Sequence, residues 1–233
     1  KKALENQAYL DTVTYLDYRL TGESTPYFLG RWFEKEIDGV THTVTVSDGS
    51  HLYFLVEGAT HIHVVFTKIT RLETPYFAYS IDGAEPVRQL ITEPTVTMPD
   101  TGKHTVRIVA DGMTETENKW EGELGLALRE VTPSAGGAIY GIRPEEKVIF
   151  FYGDSITEGI RALNMSANAN GNSATRAYSW YTAEMLGAVP YVIGYGASGL
   201  VRPGSFHPMI DAVDYLSADR RVEESAIASA VTP

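Results

Sequence analysis

A serine stands where a buried strand is expected to turn into a helix, in the sequence Gly-Asp-Ser-Ile-Thr-Glu-Gly at positions 153–159. The apolar run at 148–151 that precedes it is typical of a buried strand in a parallel sheet. Turns of this kind often carry the reactive side chains of α/β proteins. A serine hydroxyl is a nucleophile once a base accepts its proton, and free N–H groups at a helix start can stabilise an oxyanion. Ser155 is therefore a candidate nucleophile.

The segment has two other interpretations. Ser155 and Glu158 also have the spacing of a capping box, in which a serine and a glutamate satisfy the free amides of a helix N-terminus. Capping alone does not explain why Gly153 and Asp154 precede them. The Gly-x-Ser-x-Gly elbow of α/β-hydrolases is not met, because Thr157 stands where its second glycine belongs.

A second glycine-rich turn, Gly-Tyr-Gly-Ala-Ser-Gly at positions 194–199, follows an apolar strand predicted at 191–193. Its three glycines also match a dinucleotide-binding fingerprint. That motif must open a helix, and residues 200–204, which include Pro203 and Gly204, are poor helix formers. The dinucleotide interpretation is therefore disfavoured, and we expect no cofactor.

Together the two segments resemble the first two sequence blocks of the SGNH (GDSL) hydrolases. The resemblance implies that Ser155 accepts the acyl group and that the backbone N–H groups of Ser155 and Gly199 contribute to the oxyanion hole. It also implies that Gly153 and Asp154 support the nucleophile turn. It favours the SGNH class over the α/β-hydrolases.

The two remaining blocks of that family do not occur after Gly199. They are Gly-x-Asn-Asp, whose asparagine is the third oxyanion donor, and Asp-x-x-His, whose histidine is the base. Asp48 and His51 have the second spacing but lie upstream at a predicted hairpin turn, so we interpret them as a chance match. His207 has no aspartate three residues before it and is interpreted as a loop residue. We therefore expect the protein to continue past Pro233 for roughly 100 residues or more.

The elements that position these residues change character along the chain. Residues 1–133 contain short runs rich in Val, Thr, Tyr, Phe and Ile, which predict roughly eight to ten antiparallel strands in an all-β jelly-roll sandwich. Asp-Gly pairs at 38–39, 48–49, 82–83 and 111–112 supply the positive φ of tight turns between them. The small residues at 134–140 predict a linker between domains.

Residues 141–233 alternate strand and helix patterns. Strands are expected at 148–151 and 191–193, a helix near 177–186 and a further helix over 209–230. The alternation predicts a flavodoxin-like parallel sheet, the α/β fold of an SGNH domain. Two strands are too few for a stable sheet covered on both faces, which is a second reason to expect a truncated domain.

An N-terminal jelly roll joined to an SGNH domain looks like the second family of carbohydrate esterases, which remove acetyl groups from plant polysaccharides. The resemblance implies hydrolysis of small-molecule or carbohydrate esters through a serine acyl-enzyme. The alternatives are a non-catalytic carbohydrate-binding or adhesion protein and a lipase or thioesterase of the same superfamily. Trp120, in an acidic loop, is the best candidate for an exposed sugar platform, whereas Trp32 and Trp180 are expected in the core.

Composition argues against several other classes. Nineteen Lys and Arg against thirty Asp and Glu give a net charge of −11, so we expect no nucleic-acid partner and no binding to anionic membranes. The absence of cysteine removes disulfides, thiolate metal sites and cysteine nucleophiles. His61 and His63 share one strand face, but no third ligand is near in sequence, so no metal site is expected. The compartment, secreted or cytoplasmic, and the oligomeric state stay open.

Overall fold

The protein is described from a computed structural model, in which residues 1–69, 72–122, 124–145, 147–204 and 206–226 are placed. The helices of these residues are α1 (Lys2–Leu10), α2 (Ser155–Glu158), α3 (Tyr178–Met185) and α4 (Met209–Ala212). The first strands are β1 (Tyr18–Leu20), β2 (Tyr27–Leu29), β3 (Trp32–Ile37), β4 (Val40–Thr45), β5 (His51–Glu57), β6 (His61–Lys68), β7 (Tyr76–Ile81) and β8 (Val87–Leu90). The others are β9 (Thr95–Thr97), β10 (Lys103–Gly112), β11 (Leu126–Pro133), β12 (Ala138–Pro144), β13 (Lys147–Gly153), β14 (Ala188–Gly194), β15 (Tyr215–Ser217) and β16 (Arg220–Arg221). Short 3-10 helices lie at Lys119–Glu121, Ala174–Arg176 and Val222–Glu224.

The first twelve strands form two antiparallel sheets. One sheet has the order β1-β12-β5-β10-β7-β8, with β2 also paired to β5, and the other has the order β3-β4-β11-β6-β9. Apolar side chains of both sheets meet in a core that includes Phe54, Ile62 and Phe77. The predicted all-β sandwich of antiparallel strands is therefore confirmed.

Alternation along β6 follows from the pleat of a half-buried strand. Ile62, Val64 and Phe66 are buried, whereas His61 and His63 between them are partly exposed. Successive side chains of a strand point to opposite faces, so the pattern of the sequence fixes which residues enter the core.

The predicted linker at 134–140 is wrong over its last residues. Strand β12 begins at Ala138 and pairs with β5, with Ile139 opposite Val56. Ile139 and Ile142 are buried, and burial of these apolar side chains stabilises the strand in the sandwich sheet. The small residues before it form a tight turn in which Gly136 has φ +86°. The sandwich therefore extends through β12.

The second half contains the predicted parallel strand pair. β13 and β14 run parallel from Lys147 opposite Ala188 to Gly153 opposite Gly194, and α3 lies between them in sequence. The helix predicted at 177–186 is confirmed. The helix predicted over 209–230 is wrong beyond α4, because β15, β16 and a 3-10 helix follow it, and residues 227–230 lie outside the described ranges.

The two halves share a second apolar core on the outer side of the sandwich. Tyr53 and Leu55 of β5 contribute to it together with Val189, Tyr191 and Ile193 of β14. Buried polar bonds cross the same boundary, since the Arg31 guanidinium donates to the Tyr195 hydroxyl and to the Val213 carbonyl. The sandwich therefore packs directly against the parallel strands, through a shared apolar core and buried hydrogen bonds.

Two of the predicted Asp-Gly turns have the expected backbone. Asp38 and Gly39 have φ values of +50° and +75°, and Asp82 and Gly83 have +51° and +73°. The pair at 111–112 is no hairpin turn, because Asp111 is buried within β10.

None of the helices in the described ranges has the length and apolarity needed to cross a membrane.

Candidate active site

Ser155 lies at the carboxyl end of β13, as the sequence predicts. Its side chain is partly exposed, and neither its hydroxyl nor its backbone N–H has a hydrogen-bond partner among the described residues. Helix α2 starts at this serine and is a single turn that Gly159 ends with φ +89°. The hydroxyl is therefore free to meet a ligand.

The capping interpretation is corrected by the geometry of this turn. The N-cap is Asp154, whose carboxylate accepts the amide hydrogen of Ile156 at 3.0 Å, so Ser155 is the first helical residue. A side chain at position 153 would overlap the Thr157 side chain, which explains the glycine there. Asp154 and Gly153 thus shape the turn, and the serine is left without a capping role.

The second glycine-rich turn comes to the same place. β14 ends at Gly194, alongside Gly153, and the chain turns through Gly196 and Ala197. Ala197 has φ +56°, a left-handed conformation that residues with a Cβ adopt only under local constraint. The amide of Gly199 donates to the Arg202 carbonyl at 3.0 Å, so the donor implied by the resemblance is engaged inside its own loop in this structure.

A cavity of about 600 Å³ joins the two turns to the sandwich. Ser155 and Glu158 line it from the first turn, and Gly196 and Ala197 from the second. The opposite wall is the loop at 114–120, which follows β10 and supplies threonine, asparagine, glutamate, lysine and tryptophan. The volume suits a small-molecule site, and the wall is rich in hydrogen-bonding groups.

A buried ion cluster lies at one side of this cavity and was not predicted from the sequence. The Lys119 ammonium is 2.5 Å from the Glu158 carboxylate and 3.7 Å from the Asp48 carboxylate. Side-chain exposure is 10% for Lys119, 3% for Glu158 and 1% for Asp48. Glu158 belongs to the motif at 153–159, but no signal in the neighbouring sequence indicates that its ion-pair partner is Lys119.

Burial decides the protonation of this cluster. Desolvation raises the pKa of Asp48 to about 7, and the nearby carboxylates Glu158 and Asp111 act in the same direction. The positive charges of Lys119 and Arg88 oppose this rise. Desolvation also raises the pKa of Glu158, although Lys119 acts against it. Desolvation would lower the pKa of Lys119, but the two carboxylates outweigh it and the pKa is raised, so the ammonium stays charged.

We expect the stability of the protein to fall as pH rises from about 4 towards 7, in part because of Asp48. The folded carboxyl holds its proton to about pH 7, whereas an unfolded aspartate releases it near pH ~4, so the folded state binds more protons in this window. The raised pKa of Glu158 acts in the same direction. Urea unfolding of the protein and of Asp48→Asn at pH 5 and pH 8 measures the effect. The variant should gain stability relative to the parent at the higher pH, and an equal difference at both pH values would contradict this assignment.

Gly194 is a glycine because Glu158 crosses directly over it. A Cβ at this position would overlap the Glu158 Cγ. We expect Gly194→Ala to lower the free energy of unfolding by about 1–3 kcal/mol, since an overpacked buried side chain must shift. Gly199→Ala is the matched control, because its added Cβ meets Arg202 only at an ordinary 3.6 Å. Thermal unfolding of both variants checks the expectation, which a Gly194→Ala protein as stable as the control would refute.

The histidines considered in the sequence do not supply a base to the cavity. His51 is fully buried, accepts from the Arg107 Nε at 3.2 Å and donates to the Pro190 carbonyl at 2.9 Å. Burial and the Arg107 charge hold the pKa of His51 well below its usual value, so it is a neutral link between the two halves. His207 lies exposed in a loop against Phe206, in agreement with its interpretation as a loop residue.

All three tryptophans considered in the sequence are buried. Trp32 and Trp180 are buried, as predicted. Trp120, the best of the three candidates for an exposed sugar platform, is not one, because the residue is 1% exposed and its ring lies 4.2 Å from the Tyr195 ring and 5.1 Å from the Phe206 ring. Within the described ranges, no group of three or more His, Cys, Asp or Glu side chains is arranged to hold a metal ion.

Comparison with known proteins shows which solved structures have a similar fold. No family model and no curated protein matches the sequence. The structure is similar to a family two carbohydrate esterase from Clostridium thermocellum in complex with cellohexaose, with a TM-score of 0.65 and 19% identity over 84% of this chain and 60% of that one. It is also similar to a family two carbohydrate esterase from Cellvibrio japonicus, with a TM-score of 0.61 and 20% identity over 87% of this chain and 60% of the other.

An acetyl xylan esterase from the rumen bacterium Butyrivibrio proteoclasticus has a TM-score of 0.64 and 18% identity over 94% of this chain and 61% of its own. The resemblance stated from the motifs is thus confirmed at the level of the fold, which this chain shares with family two carbohydrate esterases. The chain spans about 60% of the length of these solved structures.

Proposed function

We propose that the protein is a serine esterase of the SGNH class that removes acyl groups, acetyl in the first instance, from carbohydrate esters. The observation that carries the proposal is the Ser155 hydroxyl, partly exposed and without a hydrogen-bond partner in the described part of the chain, on the wall of a cavity of about 600 Å³. The same cavity is lined by Gly196 and Ala197 of the second turn, so backbone groups of both turns surround one space. The shared fold with carbohydrate esterases supports the same reaction class.

In the proposed reaction the Ser155 Oγ attacks the ester carbonyl and the Ser155 backbone N–H donates to the oxyanion of the tetrahedral intermediate. Loss of the sugar alcohol leaves an acyl-enzyme, which water hydrolyses. The Gly199 amide donates to the Arg202 carbonyl, so it can act as a second oxyanion donor only when that bond opens on substrate binding.

A base must accept the Ser155 proton. Among the described residues that line the cavity there is no histidine, and Lys119 is held as a charged ammonium by its carboxylate partners. The chain spans about 60% of its solved relatives, and we assign the activity to the complete natural protein, with a histidine base outside the described residues.

The chemistry of the cavity wall supports a hydroxyl-rich substrate. Thr116 and Asn118 line the cavity with exposed polar side chains, whereas a long acyl chain would need a broad apolar wall. Glu115 and Glu117 also line the cavity, and together with the net charge of −11 they disfavour anionic sugars. The expected substrates are therefore uncharged acetylated saccharides.

Non-catalytic carbohydrate binding is the second candidate, favoured by the absence of a base among the described cavity residues. Hydrolysis of p-nitrophenyl acetate and of acetylated xylan by the complete natural protein separates the two functions. Activity that disappears in Ser155→Ala supports the esterase. Equal rates for both proteins, with calorimetric binding of xylo- or cello-oligosaccharides by both, would replace it with the binding function.

A further inference from the structure

Lys119 lies where three parts of the molecule meet beside Ser155. It begins the 3-10 helix in the loop that follows β10 of the sandwich. Its ammonium reaches Glu158, the last residue of α2, and Asp48, in the turn between β4 and β5. Ser155 is three residues before Glu158 on the same helical turn, so the ammonium is joined to the candidate nucleophile through one rigid turn.

Glu158 also contacts the second turn. Its Cγ occupies the space over Gly194, at the end of β14. The backbone amide of Gly196 faces its carboxylate and favours the charged form. One side chain therefore touches the end of β14 and the glycine turn, while its own backbone belongs to the helix of Ser155.

Trp120, the residue after Lys119, also contacts the glycine turn that follows β14. The Trp120 ring packs on Tyr195 and Phe206, and the Trp120 carbonyl accepts the amide hydrogen of Ala218 at 2.8 Å. Sandwich loop, nucleophile helix and glycine turn thus form one packed unit around the cavity.

The charges of this unit depend on Lys119. Both oxygens of Asp48 and one oxygen of Glu158 are buried without a hydrogen-bond partner within the described part of the chain. Removing the ammonium would leave the buried Glu158 carboxylate without its cation, beside the Asp48 carboxyl, so Glu158 would have to take up a proton or turn away. Turning away breaks the contact with the Gly196 amide, and protonation weakens it.

We propose that Lys119 is a positioning residue: through its ion pair with Glu158 it fixes the Ser155 turn against the turn at 194–197, which makes the sandwich a structural part of the reaction site. The catalytic part of this inference rests on the proposed esterase function. Its structural part, the coupling of two turns through a sandwich residue, stands without that function.

Hydrogen exchange of backbone amides tests the coupling directly. The complete natural protein is compared with Lys119→Met, which keeps the length of the side chain, with the isosteric Glu158→Gln, and with Lys68→Met as a control on an exposed strand residue. We expect the hydrogen-bonded amides at 156–158, 195–196 and 198 to exchange at least about tenfold faster in the first two variants, with β5 and β10 protected as in the parent. If Lys119→Met does not fold, Glu158→Gln carries the same comparison.

The kinetic arm uses p-nitrophenyl acetate. A misplacement of the nucleophile by about 1 Å can cost about 100-fold in rate, so kcat should fall by about that factor in Lys119→Met while KM changes by less than about threefold. Unchanged exchange in either turn, or faster exchange spread evenly over the sandwich, would overturn the proposal. A parent protein without esterase activity would remove the proposed function, and the exchange data would still decide the role of Lys119.

Discussion

Replacing Ser155 with alanine is expected to lower kcat for acetyl ester hydrolysis by about 10⁴-fold or more. The variant loses the only atom that can form the acyl-enzyme in the proposed reaction, and enzymes that lose a serine nucleophile retain only what substrate binding and the oxyanion donors contribute. The fold should not suffer, because the hydroxyl has no hydrogen-bond partner among the described residues. Stopped-flow or steady-state hydrolysis of p-nitrophenyl acetate by the complete natural protein measures the ratio.

Ser24→Ala is the matched control for this experiment. Ser24 is exposed in the loop between β1 and β2 of the sandwich, away from the residues that line the cavity, so its loss should leave kcat unchanged. A Ser155→Ala protein with more than about a tenth of the parent rate would exclude Ser155 as the nucleophile, because an intact nucleophile elsewhere would then be required.

The sequence predicted the position of Ser155 because the signals that place it are local. An apolar run followed by Gly-Asp-Ser indicates a strand and a tight turn, and the structure has both at the expected residues. The alternative interpretation of Ser155 as the N-cap placed the helix start one residue too late, because Asp154 takes that position and its carboxylate is an equally good acceptor.

Contacts between distant residues could not be predicted in this way. Trp120 has the surroundings of a polar loop in sequence, and only Tyr195 and Phe206, from the other half of the chain, bury it. The partnership of Lys119 with Glu158 likewise joins residues 39 positions apart. Periodicity and turn chemistry contain no information about which loop meets which turn.

The helix predicted for the segment after α4 was wrong for a related reason. Residues 213–226 have good helix formers, yet β15 pairs with β16 and the carbonyls of Val213 and Tyr215 accept from the buried Arg31 guanidinium. A buried charged donor needs acceptors, and backbone carbonyls are available to it only where they are not used inside a helix. Tertiary contacts therefore override helix propensity here.

Asp111 shows how the sandwich holds the long segment that follows the nucleophile helix. It was expected in a surface turn, but its carboxylate is buried in β10 and accepts from the Arg88 Nε at 2.5 Å. That bond is made to Oδ2, and the other oxygen, Oδ1, accepts from the Ser173 hydroxyl at 2.9 Å and from the Thr175 amide at 2.8 Å. Arg88 in turn donates to the Ala169 carbonyl at 2.8 Å, so the pair fastens residues 169–175 to the sheet.

Asp111→Asn is expected to lower the free energy of unfolding by about 3–5 kcal/mol. The amide cannot accept at both of its positions, so either Arg88 or the donors of Ser173 and Thr175 face an N–H₂ group, and the guanidinium loses its counter-charge. Urea unfolding at pH 7 measures the loss. Asp214→Asn, at an exposed position, should stay within about 0.5 kcal/mol of the parent. A loss below about 1 kcal/mol in Asp111→Asn would mean that the segment at 169–175 does not depend on this carboxylate, and that its packing alone keeps it against the sandwich.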